Sequence, residues 1–273
     1  MVNRRELVQM MAAGALRSEI RSYGPVDFNC MVGLAARIPD SYASAKELLA
    51  ELDYFGIEGA VAYHSLSRFI DVERGNAEMS RIARDAPQIR ATWVVYPSTE
   101  ELPDPEDFLA RMRAAGARAI RIFPGQRDPN TFGLPLREWN FGPLLAAMEK
   151  HRVPLLVERP LLPWEDLYEA ASKHPALPLL IFDAHFGEGR NIYTFLKEFR
   201  NVHFGTSRLQ LFNGLEDLIR KFGAGRLVFD SGLPEREPTM GLGQLYFTDI
   251  GDAARKQILR GNFERLWEGG YDG

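Results

Sequence analysis

Glu158, His185 and Asp230 each stand at the end of a short apolar run, and Arg121 ends another. Carboxylates and an imidazole in such places are the groups that transfer protons near neutral pH. An arginine beside them offers a two-pronged grip on a carboxylate. His185 needs an orienting partner for one ring nitrogen, which Glu158 or Asp230 could supply. If Arg121 and Glu158 both point inward their charges pair, giving either a structural bridge or a polar pocket for something charged. Asn29, His64 and Arg159 also end apolar runs and are candidate substrate contacts. Ser207 and Ser231 follow such runs, yet neither lies in a Gly-x-Ser-x-Gly elbow, so no nucleophilic serine is identified. Cys30, the single cysteine, has no internal disulfide partner and reads as a small buried filler. His151 and His174 fall at helix ends and His203 inside a strand, where structural roles account for them.

The elements that must position these groups follow one repeated pattern. Candidate strands are Val26–Met31, Gly59–His64, Ala91–Tyr96, Ala117–Phe123, Pro154–Glu158, Leu179–Asp183, Val202–Thr206 and Leu227–Asp230. Amphipathic helical stretches lie between them: Ala43–Tyr54, Arg74–Asp85, Pro105–Ala115, Phe141–His151, Pro163–Lys173, Asn191–Phe199 and Gly214–Phe222, with Ile250–Leu266 after the last strand. Near-continuous apolar strands alternating with helices are the pattern of a parallel sheet covered on its outside. Eight such units in a chain of 273 residues predict a single α/β (β/α)8 TIM barrel over 26–273, preceded by a helical lead-in over 1–25. Chemistry in such a barrel belongs at the strand C-termini, where the loops converge. Polar residues gather there, and Phe28, Trp93, Tyr96, Phe123 and Phe186 could line an organic pocket beside them.

Composition narrows the partners. With 33 Lys and Arg against 37 Asp and Glu the formal net charge is −4, and no basic footprint for nucleic acid is present. Apolar stretches are too short and too charge-broken to span a membrane. The Asn3-Arg4-Arg5 start followed by the small-residue stretch Met10 to Leu16 is similar to a twin-arginine export signal, but Arg17, Glu19 and Arg21 interrupt it. The expected location is the cytoplasm, with export as the alternative. Homo-oligomer formation stays open.

At its strand ends the chain resembles the amidohydrolase superfamily, in its amidohydrolase 2 branch of barrel hydrolases, lactonases and decarboxylases. The likeness spans residues 26 to 267. That family carries Asp-x-His-x-His and Ile-Gly on its first strand, a His after the fifth and sixth, and Gly-Ser-Asp-x-Pro after the eighth. Here these stretches read Asp27-Phe-Asn29-Cys-Met31-Val-Gly33, Pro154-Leu-Leu-Val-Glu158, Asp183-Ala-His185-Phe-Gly187 and Asp230-Ser231-Gly232-Leu-Pro234. Gly75-Asn76 and the closing Gly261-Asn262-Phe-Glu-Arg-Leu266 match as well. The departures fall on the ligands: Asn29 and Met31 replace two His, Glu158 a third, and Gly232 the last Asp, so His185 is the one retained member. Asn and Met are poor zinc ligands. Asp230, two residues before Gly232, shares its strand face and could point inward one layer deeper.

The resemblance implies a metal-independent or metal-poor enzyme that hydrolyses or isomerises a carboxylated lactone or ring by general acid–base catalysis. His185, Glu158 and Asp230 are then the catalytic groups, while Arg121, His64, Asn29 and Arg159 bind a small carboxylated substrate. Two alternatives remain. One is a hydrolase or decarboxylase with a single zinc or manganese ion on Glu158, His185 and Asp230. The other is a non-catalytic barrel serving as a binding module.

Overall fold

The apolar runs become strands β1 (Val26–Val32), β2 (Gly59–His64), β3 (Ile89–Val94), β4 (Ala119–Arg121), β5 (Leu155–Glu158), β6 (Leu179–Phe182), β7 (Val202–Gly205) and β8 (Leu227–Val228). In this computed structural model, which describes residues 14–96, 104–124, 134–209 and 214–268, they pair in sequence order, each parallel to the next. The Asn3-Arg4-Arg5 start lies outside the described residues. The chain beyond β8 closes the ring on β1: Phe28 N–H donates to Phe229 O at 3.0 Å, Gly232 N–H to Asn29 O at 3.0 Å and Met31 N–H to Leu233 O at 2.8 Å. The result is the expected single (β/α)8 barrel.

Helices α1 (residues 14–22), α2 (Ala45–Tyr54), α3 (Ser65–Phe69), α4 (Val72–Asp85), α5 (Pro105–Ala114), α6 (Glu138–Lys150), α7 (Trp164–Lys173), α8 (Gly189–Glu198) and α9 (Gly214–Phe222) cover the strands. Their buried Leu, Ile, Met and Phe side chains pack on the outward strand residues. The inward residues form a second core of Val26, Phe28, Val61, Ala119, Leu156, Leu180, Phe182 and Val228. Phe263, Leu266 and Trp267 of the C-terminal segment join it, and burial of side chains this size is worth roughly 1.5–3 kcal/mol each. Neither the short α3 nor one further helix, α10 (Thr239–Phe247), was expected. The Met-Gly-Leu-Gly start of α10 has poor intrinsic propensity and no clean polar face, so neither signal of a helix is present in the sequence.

Two of the shared motif residues are structural ties. Asn76 receives Val94 N–H on Oδ1 and donates to Val94 O, both at 2.8 Å, which fixes α4 to the end of β3. Asn262 donates to Ala224 O and Leu227 O, at 2.8 and 2.6 Å, and so anchors the C-terminal segment to β8. Among the described residues no helix is long and apolar enough to cross a membrane.

Candidate active site

Register decides which strand-end groups enter the barrel. Arg121 stands beside Leu156 of β5, an inner-core residue, and Glu158 lies two residues further along the same strand. Side chains two apart share a face, so Arg121 and Glu158 both point inward, Glu158 one layer nearer the mouth. Arg121 has no exposed surface. Its Nη1 donates to Asn29 Oδ1 at 2.7 Å and to Glu158 Oε1 at 3.4 Å, and its Nη2 to Phe28 O at 3.4 Å. Arg68 of α3 reaches the other Glu158 oxygen at 3.8 Å and donates to Tyr63 Oη at 3.1 Å. Burial raises the Glu158 pKa, against the opposing pull of Arg68 and Arg121.

Asp230 faces inward at the start of the loop after β8 and is fully buried. Its oxygens accept from the Ser207 N–H at 2.9 Å and the Ser207 hydroxyl at 2.7 Å. Burial, reinforced by the charge of Asp183, pushes its pKa up to about 7. Asp27, also buried, accepts from Asn29 N–H and Ser231 N–H and so staples β1 to the loop after β8. Ser231 Oγ accepts from Leu233 N–H, and Cys30 is a buried free thiol.

Two cavities open at this end of the barrel. The inner crevice, lined by Asn29, Tyr63, Glu158, Asp183 and Arg236 among others, measures about 10 Å³, room for roughly one water. The outer cavity measures about 780 Å³ and lies over β4 to β7. Its walls include Leu134, Leu161, Leu162, Arg137, Arg159, Asp183, His185, Glu188 and Arg208. Asp183 alone of these acids lines both spaces. It follows the last residue of β6 with a φ of 59°, and its carboxylate pairs with Arg236.

That geometry changes the reading of several candidates. The inward position at the end of β6 belongs to Asp183, because the left-handed turn there carries His185 outward into the larger cavity. His185 Nδ1 accepts the Gly187 N–H at 3.1 Å, so the neutral ring carries its proton on Nε2. Its expected orienting partner Asp230 is occupied by Ser207. Arg121 is sealed from substrate, contrary to a role as carboxylate clamp, and Asn29 is its hydrogen-bond acceptor. His64 is 8% exposed and caps α3, its Nδ1 accepting from Leu66 N–H at 3.1 Å. It lines neither cavity, and its ring packs against Gly33, where a side chain would collide with it. Arg159 does line the outer cavity, ion-paired with Glu188 at 2.7 Å and lying over Trp164. Phe28 and Phe123 are core, packed on Phe263 and Tyr63, and Trp93 turns outward to Ser80 and Phe108.

Sequence reasoning missed Asp183, Arg236, Arg68 and Arg208 as parts of the site. Asp183 was legible as an acid next to the end of an apolar run; the other three carry no motif. Arg208, half-buried in the outer wall, makes no ion pair among the described residues. The other two arginines of that cavity are paired, Arg159 with Glu188 and Arg137 with Asp166 at 2.8 Å.

A family model of the amidohydrolases, in its second branch, matches residues 32–269. The chain belongs to the amidohydrolase family. No curated protein sequence matches it. Among solved structures it is similar to 2,6-dihydroxybenzoate decarboxylase from Rhizobium, at 19% identity and a TM-score of 0.70, covering 92% of this chain and 99% of that one. It is similar to 5-carboxyvanillate decarboxylase from Novosphingobium aromaticivorans with bound manganese, at 13% identity and a TM-score of 0.71, covering 91% and 98%. A Pseudomonas putida protein provisionally named 2-pyrone-4,6-dicarboxylic acid hydrolase matches at 18% identity and a TM-score of 0.67, covering 89% and 97%. At these identities the likeness is one of fold.

Membership of the amidohydrolases raises the question of a divalent ion, and the residues present do not fit one. Among the described residues no three His, Cys, Asp or Glu side chains converge as a ligand set. Glu158, His185 and Asp230 in particular are engaged elsewhere: Glu158 by Arg121 and Arg68, Asp230 by Ser207, His185 out in the larger cavity. On β1 the Asn29 oxygen is taken by Arg121, and Met31 offers only a thioether. A doubly charged ion about 4 Å from the guanidinium would meet a repulsion on the order of 8 kcal/mol at an effective dielectric of about 20.

Proposed function

We propose that this amidohydrolase acts, without a metal ion, on a small ring bearing a carboxylate, opening a lactone or shifting a proton by general acid–base catalysis in the outer cavity. The observation that carries this reading is Arg208: a half-buried guanidinium with no ion-pair partner among the described residues, in the same cavity wall as His185. A partly desolvated charge calls for a counter-ion, and a carboxylate matches its fork. The cavity volume falls within the range of about 300–1,000 Å³ usual for small-molecule sites. The structural neighbours named for 2,6-dihydroxybenzoate and 5-carboxyvanillate point to carboxylated rings as well.

The roles follow from position. The ring carboxylate pairs with Arg208, with Arg159 at its flank. His185, with its proton on Nε2, donates a hydrogen bond to the oxygen released when the ring carbon–oxygen bond breaks. Asp183, lining the cavity and fixed by Arg236, takes the proton of the attacking water and passes it to that oxygen. Glu158, Asp230 and Arg121 form the charged floor beneath Asp183, and Asn29 holds Arg121 in place.

The test is turnover. Carboxylated lactones and hydroxylated aromatic acids are screened by proton release and absorbance on EDTA-dialysed protein, with His185→Ala beside wild type. A carboxylated lactone opened by wild type, with kcat reduced roughly 100- to 1,000-fold in the variant, supports the reading. A turned-over substrate on which His185→Ala keeps full activity refutes it.

A further inference from the structure

We infer that the guanidinium of Arg121 is the resident cation of this barrel, standing in for a divalent ion such as the manganese bound in a structural neighbour. This rests on the reading of the site as metal-free, but not on any particular substrate. Manganese appears in the structural neighbour acting on 5-carboxyvanillate; here the donors that could receive an ion are turned on Arg121 instead.

Three observations converge. First, the side chain crosses the barrel. Rooted in β4, it reaches Asn29 and the Phe28 carbonyl on β1 and Glu158 on β5, so one cation ties three strands as a central ion would. Second, it is cradled as a charge, with its guanidinium carbon 4.8 Å from the Tyr63 ring and 5.4 Å from that of Phe182, on β2 and β6. Ring faces at such distances attract a desolvated cation. Third, the chemistry of the donors has changed to match. An amide oxygen at Asn29 accepts well from N–H and binds zinc poorly, whereas an imidazole there could not accept from a guanidinium while its remaining nitrogen bound an ion. Glu158 completes the exchange by giving the buried guanidinium a carboxylate partner at 3.4 Å.

The consequence is a barrel whose mouth is held by an internal charge that no chelator can remove. Wild-type protein is dialysed against manganese and zinc, then against buffer, and its metal content is measured together with its thermal midpoint before and after EDTA. The expectation is an ion content far below one per chain and an unchanged midpoint. Arg121→Met and Arg121→Met/Glu158→Gln are then melted. The single variant should lose roughly 10 °C, because it leaves the largely buried Glu158 carboxylate with only its 3.8 Å contact to Arg68, and the double variant should regain most of that loss. One ion per chain that EDTA strips with a fall in midpoint overturns the inference, as do single and double variants that melt alike. If the single variant does not fold, the wild-type metal content decides. Absence of turnover on every lactone tried would sink the proposed reaction and leave these readouts untouched.

Discussion

Ser207 satisfies both oxygens of Asp230, its N–H donating to Oδ1 at 2.9 Å and its hydroxyl to Oδ2 at 2.7 Å. The carboxyl is fully buried all the same, and with Asp183 nearby its pKa rises to about 7. In the unfolded chain it titrates near 3.9. Between those values the folded state keeps a proton that the unfolded state has lost. Stability from this group is therefore complete below about pH 4 and disappears as pH rises towards about 7. Asp230→Asn can keep both bonds to Ser207 without the charge. Urea denaturation from pH 4 to 7 should show wild type losing up to about 4 kcal/mol relative to this variant. Parallel pH profiles would contradict the assignment.

Asp183 raises the proton affinity of both Glu158 and Asp230 through its charge. Asp183→Asn tolerates the positive φ and removes that charge. The upper edge of the pH window just described should move down, and turnover should fall together with it. Asp183→Ala adds the strain of a left-handed alanine, on the order of 1 kcal/mol, measurable as a further loss of stability over Asp183→Asn. Equal stability of the Ala and Asn variants would show that the turn imposes no such demand.

His64 separates a capping role from a substrate role. Because Nδ1 accepts from Leu66 N–H at the start of α3, His64→Ala should cost about 1 kcal/mol and His64→Asn much less. KM should stay at the wild-type value in the Asn variant. A raised KM there would return His64 to the substrate-binding surface.

The barrel was legible because eight apolar runs alternate with amphipathic helices, a pattern with few architectural solutions. Inward orientation of Arg121 and Glu158 was also legible, since β-strand periodicity fixes it once the strand ends are located. The cavity was not. One left-handed residue, Asp183, sends His185 away from the inner floor, and no pattern of residue types announces that turn. Nor does composition separate Arg208 from the paired arginines around it; only the placement of carboxylates beside Arg137 and Arg159 leaves it without an ion pair among the described residues. His64 and Asn29 were read as contacts because they end strands, but local capping and the demands of a buried guanidinium had already claimed them.

The central claim is that the outer cavity binds a carboxylated ring through Arg208. Isothermal titration with isophthalate, a planar ring with two carboxylates and no ester to open, tests it without knowledge of the substrate. The account predicts one site per chain in wild type, weakened roughly 10- to 100-fold in Arg208→Ala with the thermal midpoint unchanged. Equal affinity in the two proteins, or no binding to wild type at millimolar ligand, would contradict it.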